Sequence, residues 1–594
     1  MARERYAPIR DYAAIGDGRT VALVALDGSI DWLCIPDLDS PSVFASLLDA
    51  RLGGSFTLVP EVAFEATHHY LPSTNVLVTV FTTRLGTIQV TDALTLPDSC
   101  GLSPFRELAR RIHVVSGRVP MRWAVKPGFE YARGDVTIGT RSGVPVASSG
   151  NVALAVNTWN AGEPVLDSAS IGGRFTAETD ALIVVSISYQ EPLVLPTRDD
   201  VERRLAGTIS FWRGWTESCT YAGRWRDAVV RSALALKLLV FSPSGALAAA
   251  ATTSLPENIG GARNWDYRFC WIRDAAFTLS AFLQLGFLRE AESFFWWLMQ
   301  ASQLTHPRLD VLYRLDGGVP ASERELAFEG YLDSQPVRVG NAAGKQSQLD
   351  IYGDLLQTAW AYSSAGHRID PEIAARLAET ADLVCDIWHE PDSGIWEVRS
   401  KPLHFTQSKM MSWVGLDRAI RLAEAGLIHG ATERWSIERD AIGDFIESRC
   451  WSEERSSYTR SAGSDELDAS VLLGALFGYR DPEDPRTLGT IDAIGQHLGE
   501  GPFIRRYSGE DGVDGPEGAF LPCSFWFVEA LARCGRRSRA IALMEDLVSF
   551  ANDVGLYSEE IDPENGDFLG NFPQALTHLS FISAALAIEG ADPA

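Results

Sequence analysis

The chain has 594 residues, of which 46% are hydrophobic and 22% charged, as in ordinary globular proteins. That length exceeds what one simple core accommodates, so we expect two domains, or one large barrel with a second domain. Lys and Arg number 52 against 78 Asp and Glu, and the net charge of −26 argues against nucleic acid or an anionic membrane as a partner. A neutral small molecule suits such a protein better.

The chain start and the cysteines indicate a reducing compartment. The first residues, MARERYAPIRDYAAIGDG, contain no apolar signal-peptide core, and no run reaches the roughly 18 apolar residues of a membrane span. The cysteines form no C-x-x-C pair, so neither a zinc site nor a redox motif is indicated, and we expect small buried hydrophobes. We predict a cytoplasmic protein without a metal. The cysteines are Cys34, Cys100, Cys219, Cys270, Cys385, Cys450, Cys523 and Cys534.

Residues 1–195 are predicted to form an antiparallel β-sandwich. VLVTVFTT (76–83) and GTIQVTDAL (86–94) have the composition of strands and lie close enough for a hairpin. RIHVVSG, MRWAVKPGF and ALIVVSIS are further strand-like runs, and many short strands between turn residues are typical of a sandwich. A segment dense in Asp and Ser, LDGSIDWLCIPDLDSPSVF (26–44), is expected to be a structured loop or strand edge. The alternative is that it reaches toward a site elsewhere.

Residues 196–226 form a polar connector rich in Arg, Glu and Trp. We predict that this segment is partly helical and links two domains. From residue 227 to 594 apolar residues recur at helical spacing, as at Ile373, Leu377, Ala381 and Val384. This pattern predicts about twelve helices, which begin near 227, 274, 288, 352, 371, 408, 431, 466, 484, 522, 537 and 573.

The connections between these helices alternate in length. Short ones, such as 366–370 and 426–430, alternate with long ones rich in Trp, Tyr, Asp, Glu, Arg and Gly. Long loops in compact domains are uncommon and usually functional. The alternation predicts six antiparallel helix hairpins in a ring, an (α/α)6 barrel whose six long loops emerge at one mouth. An open helical solenoid remains an alternative.

The long loops carry carboxylates and aromatic rings. They contain no phosphate-binding G-x-x-x-x-G-K-[ST], no dinucleotide G-x-G-x-x-G and no G-x-S-x-G, and they are poor in His, which disfavours a zinc site. The stretch NWDYRFCWIRD (264–274) combines four large rings with four charges. Flat ring faces beside bidentate polar groups suit a pyranose, whose C–H face packs on a ring while its hydroxyls bind the polar groups.

Glycoside hydrolysis needs two carboxyl groups, and two of the loops offer them. Glu397 lies between Trp396 and Val398 in GIWEV, and apolar flanks favour the protonated form that a general acid requires. Glu559, in LYSEEIDP, comes from a different loop. The residue pattern leaves the choice between Glu559 and Glu560 open.

Several long motifs together resemble the bacterial branch of glycoside hydrolase family 15, the glucoamylase and trehalase family. They include GSIDWLCIPDLDSPSVFA, FWRGWTESCTYAGRW, NWDYRFCWIRD, NAAGKQSQLDIYGD, GIWEVRSKPLHFTQSK and SEEIDPENGDFLGNFPQA, in order over nearly the whole chain. The resemblance implies an N-terminal β-sandwich, a helical linker and a catalytic (α/α)6 barrel. It also implies inversion, in which water attacks opposite the leaving group and an α-glucoside yields β-glucose.

The resemblance implies catalytic roles for three residues. Glu397 matches the glutamate of the family's W-E motif and would be the general acid. Glu559 matches the first glutamate of the S-E motif and would be the general base, with Glu560 as its neighbour. Tyr267, six residues before the R-D pair, would help to hold the attacking water.

The resemblance also implies a set of sugar-binding residues. Arg273 and Asp274 match the R-D pair that binds hydroxyls of the non-reducing-end glucose, and Arg506 with Tyr507 matches an Arg-Tyr that contacts sugar. The weaker matches, expected to line the pocket without an assigned role, are Trp265, Trp396, Gln348 and Asp350.

These observations predict an exo-acting, inverting α-glucosidase of the glucoamylase type that acts on small α-glucosides or maltooligosaccharides. Trehalase and an isomaltose-type α-1,6-glucosidase are alternatives on the same scaffold. A non-catalytic sugar-binding protein and a phosphorylase or glycosyltransferase are more remote ones. We expect no cofactor, apart from a phosphate requirement if the protein is a trehalase. The expected partner is a small neutral oligosaccharide, with homo-oligomerisation left open.

Overall fold

The computed structural model of the protein describes residues 6–97, 106–320, 322–509, 511–513, 515 and 517–590, so that Cys100 lies outside the described residues. Sixteen strands come first in the described chain. They are β1 Tyr12–Gly16, β2 Val21–Ala25, β3 Ile30–Cys34, β4 Ser42–Phe44, β5 Gly54–Pro60, β6 Phe64–Tyr70, β7 Leu77–Thr83, β8 Gly86–Leu94, β9 Arg106–Gly117, β10 Val119–Pro127, β11 Thr137–Arg141, β12 Val144–Ser149, β13 Val152–Trp159, β14 Val165–Leu166, β15 Ile171–Ala177 and β16 Ala181–Tyr189.

These strands form two antiparallel sheets that pack against each other, which confirms the predicted sandwich. One sheet has the order β1-β2-β3-β5-β10-β15-β14, with β4 paired to β3, and the other has the order β11-β12-β13-β16-β9-β8-β7-β6. The predicted hairpin is β7–β8, in which Thr83 pairs with Gly86. Between the sheets, the buried Arg110 guanidinium binds the Asp92 carboxylate and donates to the Gly28 carbonyl of the facing sheet.

One helix, α1 Arg198–Thr216, lies in the polar connector between the strands and the other long helices. It starts with a capping box, in which Thr197 accepts from the backbone of Asp200 and the Asp200 side chain accepts from the backbone of Thr197. Its Arg204 forms an ion pair with Glu107 of β9, with 2.7 Å between nitrogen and oxygen. The helix is therefore held against the sandwich by a buried charge pair.

The rest of the described chain contains twelve further helices, as predicted. Eleven of them begin within two residues of the expected position. They are α2 Arg226–Leu239, α3 Ala275–Gln284, α4 Leu288–Gln303, α5 Asp350–Ser364, α6 Pro371–Ile387, α7 Thr406–Glu424, α8 Thr432–Arg449, α9 Leu472–Leu476, α10 Pro485–His497, α11 Leu521–Arg533, α12 Arg537–Ser549 and α13 Ala575–Glu589.

The largest difference from prediction concerns α9, expected near residue 466. The helix begins at Leu472, after a single 3-10 turn, Ala469–Val471. Asp468 accounts for the delay because its side chain caps that turn at the Ser470 N–H and also accepts a hydrogen bond from the Trp396 indole. The residues before 468 therefore belong to the loop.

The helices form two concentric rings. The inner helices α3, α5, α7, α9, α11 and α13 each contact the next one, and α13 contacts α3, which closes the ring. The outer helices α2, α4, α6, α8, α10 and α12 pack around it. This closure confirms the (α/α)6 barrel and excludes the open solenoid.

Every long loop runs from an outer helix to the next inner helix, so all six lie at the end where the inner helices begin. We number these loops in chain order; they span 240–274, 304–349, 388–405, 450–471, 498–520 and 550–574. Short antiparallel ladders stiffen most of them. The ladders pair Thr253–Pro256 with Asn264–Asp266, Cys270–Trp271 with Leu312–Tyr313, Arg324–Leu326 with Val337–Val339, Trp451–Ser452 with Ser457–Tyr458, Gly499–Glu500 with Phe503–Ile504, and Glu560–Ile561 with both Ala519–Phe520 and Phe568–Leu569.

The segment 26–44 belongs to the sandwich and also contacts the first loop of the barrel. Its strand β3 carries Trp32, whose indole N–H donates to the Ala251 carbonyl at 2.8 Å. The buried Arg268 guanidinium donates to the Ser40 carbonyl at 2.8 Å and binds the Asp266 carboxylate with two nitrogens. The sandwich therefore contacts the segment NWDYRFCWIRD through Arg268, which binds Asp266. Both charged residues lie between the aromatic residues of that segment.

Two further sequence predictions concern the cysteines and membrane association. Six of the seven described cysteines are buried and unpaired, and Cys219 is partly buried. In the described part of the chain, none of the helices combines the length and the apolar character needed to cross a bilayer.

Candidate active site

A pocket of about 780 Å³, counting its open mouth, is lined by residues of the first, second, third and fifth long loops. Phe520, Trp526 and Leu576, from the beginnings of two inner helices and the residue before one of them, complete the lining. Six of the residues singled out from the sequence line the pocket: Trp265, Tyr267, Arg273, Trp396, Glu397 and Arg506. The others, Asp274, Gln348, Asp350, Tyr507 and Glu559, lie behind this lining.

Glu397 lies on a strained turn that faces the pocket. Its φ angle is 57°, a left-handed conformation that costs a non-glycine residue about 1–2 kcal/mol and that clusters at functional sites. One carboxylate oxygen, Oε1, accepts hydrogen bonds from the Trp271 indole at 2.6 Å and from Arg273 at 3.2 Å. The turn therefore aims this carboxylate at donors from the first loop.

The expected apolar surroundings of Glu397 are not what the structure shows. The Trp396 indole N–H turns away from the carboxylate and donates to Asp468 at 2.9 Å. The Glu397 carboxylate is instead surrounded by the two N–H donors of Trp271 and Arg273. The residues next to Glu397 in the sequence could not predict the surroundings of its carboxylate, because the donors come from a loop more than 120 residues away.

Glu559 is buried beneath Tyr267. Its Oε2 accepts from the Asn571 backbone N–H at 3.1 Å, and the Tyr267 hydroxyl lies near its carboxylate and favours the ionised form. Gly570 allows this packing, since a Cβ there would lie 2.4 Å from Glu559 Oε2. Tyr267 therefore stands between Glu559 and the open pocket.

Burial raises the pKa of Glu559 above its usual range, and the nearby negative charge of Glu257 raises it further. Arg506, the Asn571 N–H and the Tyr267 hydroxyl oppose these effects. Burial together with the charges of Glu559, Glu257 and Glu397 raises the pKa of Tyr267 well above its usual value. Its hydroxyl therefore keeps its proton and acts as a donor.

The contacts of Glu559 and Glu560 distinguish the two residues. Glu559, just before the strand Glu560–Ile561, lies near Tyr267, whereas Glu560 has other partners. The Glu560 carboxylate lies 3.0 Å from the Arg506 guanidinium and accepts from the Gly518 N–H at 2.9 Å. Glu560 is thus placed as an anchor for Arg506.

Arg273 connects the pocket to a layer of buried acids. Its guanidinium donates to the Ile395 carbonyl at 2.6 Å and contacts Asp274 at 3.3 Å. Asp350, also near Arg273, accepts from the Gln407 amide at 3.3 Å, and burial with the charge of Asp392 raises its pKa to about 7. Asp274 and Asp350 therefore lie near Arg273 on its buried side, and neither of them lines the pocket.

Gln348 belongs to the same supporting layer. It is 2% exposed, and its amide donates to the Gln346 side chain at 3.2 Å. Gln346 lines the pocket and donates to the Glu397 carbonyl at 3.1 Å. Gln348 therefore acts on the pocket through a neighbour.

Arg506 and Tyr507 differ in position, although they are adjacent in sequence. Arg506 lines the pocket and binds Glu257 at 2.9 Å and Glu517 at 3.0 Å. The Tyr507 hydroxyl lies 2.9 Å from Asp511 and 2.8 Å from Glu517. Tyr507 does not line this pocket but lines an adjoining cavity, which shares Asp511 with it.

Trp265 stands at the mouth of the pocket among charged residues. The Arg399 and Arg338 guanidinium carbons lie 4.2 Å and 4.5 Å from its ring centroid. Glu323 lies within 3.5 Å of both arginines. Trp265 therefore presents a ring held by two cations, an arrangement suited to stacking against a sugar.

Sequence reasoning missed three residues of this site. Glu257 lines the pocket and binds Arg506, Trp271 holds Glu397, and Arg399 covers Trp265. A signal for Glu257 was present, because it is the only carboxylate in TSLPENIGGARN of the first loop.

Among the residues described, no group of three or more His, Cys, Asp or Glu side chains is arranged to hold a metal ion.

Comparisons with known families agree with this architecture. Residues 223–586 match the model of Glycosyl hydrolases family 15. Residues 1–157 match the model of a trehalase-like N-terminal domain. The two matches cover most of the barrel and most of the sandwich.

Individual relatives match along nearly the whole chain. The chain is 36% identical to a trehalase of Mycobacterium tuberculosis, over 99% of this chain and 90% of the relative. It is 36% identical to a trehalase of Thermoplasma acidophilum, over 96% of this chain and 98% of the relative. Among solved structures, a bacterial glucoamylase complexed with acarbose superimposes with a TM-score of 0.77 and 13% identity, over 99% of this chain and 95% of that one. This last likeness is one of fold.

Proposed function

Since the chain belongs to glycosyl hydrolase family 15 and is a glycoside hydrolase, we propose that its substrate is α,α-trehalose, which it cleaves with inversion. The observation that carries this proposal is the match to relatives named trehalase over nearly their whole length. The sequence motifs favoured a glucoamylase-like enzyme, with trehalase as an alternative. The relatives support the alternative better.

In the proposed mechanism, the general acid is Glu397, which gives its proton to the oxygen between the two sugars. The general base is Glu559, which removes a proton from the water that attacks the anomeric carbon, with Tyr267 holding that water. The Tyr267 hydroxyl lies near the Glu559 carboxylate and would orient a water there. Arg273 and Arg506 bind hydroxyls of the glucose that enters first.

The shape of the pocket supports action at a chain end. Phe520, Trp526 and Leu576, at or near the beginnings of inner helices, line its inner part, so a glucose unit would enter from the loop side and the leaving group would remain there. Trp265 and Arg399, which also line the pocket, would contact a second glucose as the leaving group.

A substrate panel tests the proposal. We expect trehalose to be hydrolysed with a higher kcat/KM than maltose, isomaltose or maltotriose, each assayed with and without inorganic phosphate. A preference for maltotriose would restore the glucoamylase-like function. Saturable binding of sugar without hydrolysis would indicate a non-catalytic protein, and glucose 1-phosphate among the products would indicate a phosphorylase.

The anomers of fresh product test inversion. Attack by water opposite the leaving group converts one glucose of α,α-trehalose to the β anomer, while the leaving glucose stays α. We therefore expect proton NMR to show equal amounts of α- and β-glucose before mutarotation. Product that is initially all α would contradict inversion.

Replacing Trp271 with Phe should lower kcat roughly tenfold. The substitution removes the N–H that donates to Glu397 at 2.6 Å but keeps a ring beside Tyr267, and a hydrogen bond to a charged group contributes about 1.5–3 kcal/mol. Trp435→Phe is a matched control, since its buried indole donates to Asp382 at 2.8 Å on the outer ring. Equal kinetic effects of the two variants would count against a role for Trp271.

A further inference from the structure

Glu257 lines the pocket together with the proposed general acid Glu397, and its charge acts on the proposed base Glu559 behind the lining. The residue is 2% exposed and follows the strand Thr253–Pro256, where its backbone N–H donates to the Arg263 carbonyl at 3.0 Å. Its Oε2 accepts from Arg506 at 2.9 Å. A buried carboxylate at the pocket wall is costly unless it is paired, and Arg506 is the cation that pairs it.

The backbone ties Glu257 to the neighbourhood of Glu559. The carbonyl of Pro256, the preceding residue, accepts from the Gly570 N–H at 2.8 Å. Gly570 packs directly on Glu559, and the next N–H along the chain, that of Asn571, donates to the Glu559 carboxylate. The strand that ends at Glu257 is therefore bound to the segment that holds Glu559.

Charged and polar groups face Glu559 from three loops. The first loop contributes Glu257 and the Tyr267 hydroxyl, the fifth contributes Arg506, and the sixth contributes Glu560 and the Asn571 N–H. Of the charges that raise the pKa of Glu559, that of Glu257 acts most strongly, after burial itself.

Arg506 cannot neutralise all of these acids. Its guanidinium lies within 3.0 Å of Glu257, Glu517 and Glu560. One positive charge is thus divided among three carboxylates, and burial raises the pKa of Glu257 and of Glu560 as it does that of Glu559. The excess of negative charge disfavours the ionised form of Glu559, which is the form that a general base needs.

We propose that Glu257 is a positioning residue that sets the pH range in which Glu559 can act as the base, by anchoring Arg506 and placing a second negative charge beside Glu559. The inference rests on the proposed role of Glu559. A base works only when ionised, so activity falls as pH drops through its titration. Removing the charge of Glu257 makes Glu559 easier to ionise and moves the acidic limb of the pH profile downward.

Glu257→Gln tests this inference in the full-length protein. We expect the acidic limb of kcat/KM, which reports the free enzyme, to move down by about one pH unit, a shift of the size that one close like charge produces. Glu257→Asp keeps the charge and should leave the limb near its original position. Thermal melting of each variant verifies that it is folded.

Glu517→Gln is the matched control. It removes another carboxylate from the same guanidinium, but Glu517 is not among the principal groups that shift the pKa of Glu559. We expect no comparable shift of the acidic limb. If Glu517→Gln or Glu257→Asp moves the limb as far as Glu257→Gln does, or if Glu257→Gln leaves it in place, the inference is wrong.

A second measurement separates this inference from the proposed function. Carbon-13 NMR of protein labelled at the glutamate carboxyl carbon follows the titration of Glu559 without turnover, and Glu559→Gln assigns its resonance. We expect Glu559 to titrate at lower pH in Glu257→Gln. If the titration of Glu559 is unchanged in Glu257→Gln, the inference is wrong, even if the protein hydrolyses trehalose. If Glu559 titrates at lower pH in this variant, the electrostatic coupling is upheld, even if another glucoside is the substrate.

Discussion

Replacing Glu397 with Gln is expected to lower kcat on trehalose by at least about a hundredfold. The amide keeps the size of the side chain and can still accept from Trp271 and Arg273, which bind Oε1. It has no proton to give to the leaving oxygen, so the bond between the sugars must break without acid assistance. Steady-state kinetics with trehalose would measure the loss.

The nature of the leaving group provides the control for Glu397→Gln. Fluoride departs from α-glucosyl fluoride with little need for a proton, so the variant should lose much less rate on this substrate than on trehalose. A rate near that of the unchanged protein on trehalose would remove Glu397 from the mechanism. An equal loss on both substrates would assign it a role other than that of the acid.

Replacing Glu559 with Gln is expected to lower kcat by a similar factor, at least about a hundredfold. The amide cannot take a proton from water, although its oxygen can still accept from the Asn571 N–H, which donates to Glu559 Oε2. Because water must be activated whatever the leaving group is, the loss should be as large on α-glucosyl fluoride as on trehalose. This pattern differs from that expected for Glu397→Gln.

Glu560→Gln is the neighbouring control for this second variant. Glu560 lies beside Arg506 and accepts from the Gly518 N–H, so its replacement should act mainly through Arg506 and raise KM more than it lowers kcat. If Glu560→Gln abolished turnover while Glu559→Gln retained it, the two residues would have to exchange roles.

The sequence predicted the barrel well because each helix depends on residues close to it along the chain. Apolar spacing in 371–388 identified α6, and the helix begins at Pro371, where the Asp370 side chain caps it. The same reasoning misplaced α9, whose beginning depends on Asp468 and its distant partner Trp396. Local pattern predicts a helix, while a contact across the fold can decide where it starts.

The prediction of the site was limited in the same way. Loop motifs led to Tyr267, Arg273 and Glu397, which the structure brings to one pocket. They also led to Tyr507, which lines an adjoining cavity and whose hydroxyl binds Asp511 and Glu517. No pattern around Glu257 marked it as a neighbour of Glu559, because the two are separated by about half of the chain and meet only when the first and sixth loops pack together.

The sequence by itself determined the order of strands and helices, the alternation of short and long loops, the carboxylates and rings that those loops carry, and the family. The order of elements and loops follows from composition and from periodicity over a few turns, whereas the family follows from the resemblance of several long motifs. The tertiary structure decided that α13 closes the ring on α3, that Glu559 and not Glu560 faces Tyr267, and that Arg506 is shared among three carboxylates. Burial and charge interaction depend on distances in space, and those distances exist only after loops far apart in the chain have packed into one mouth.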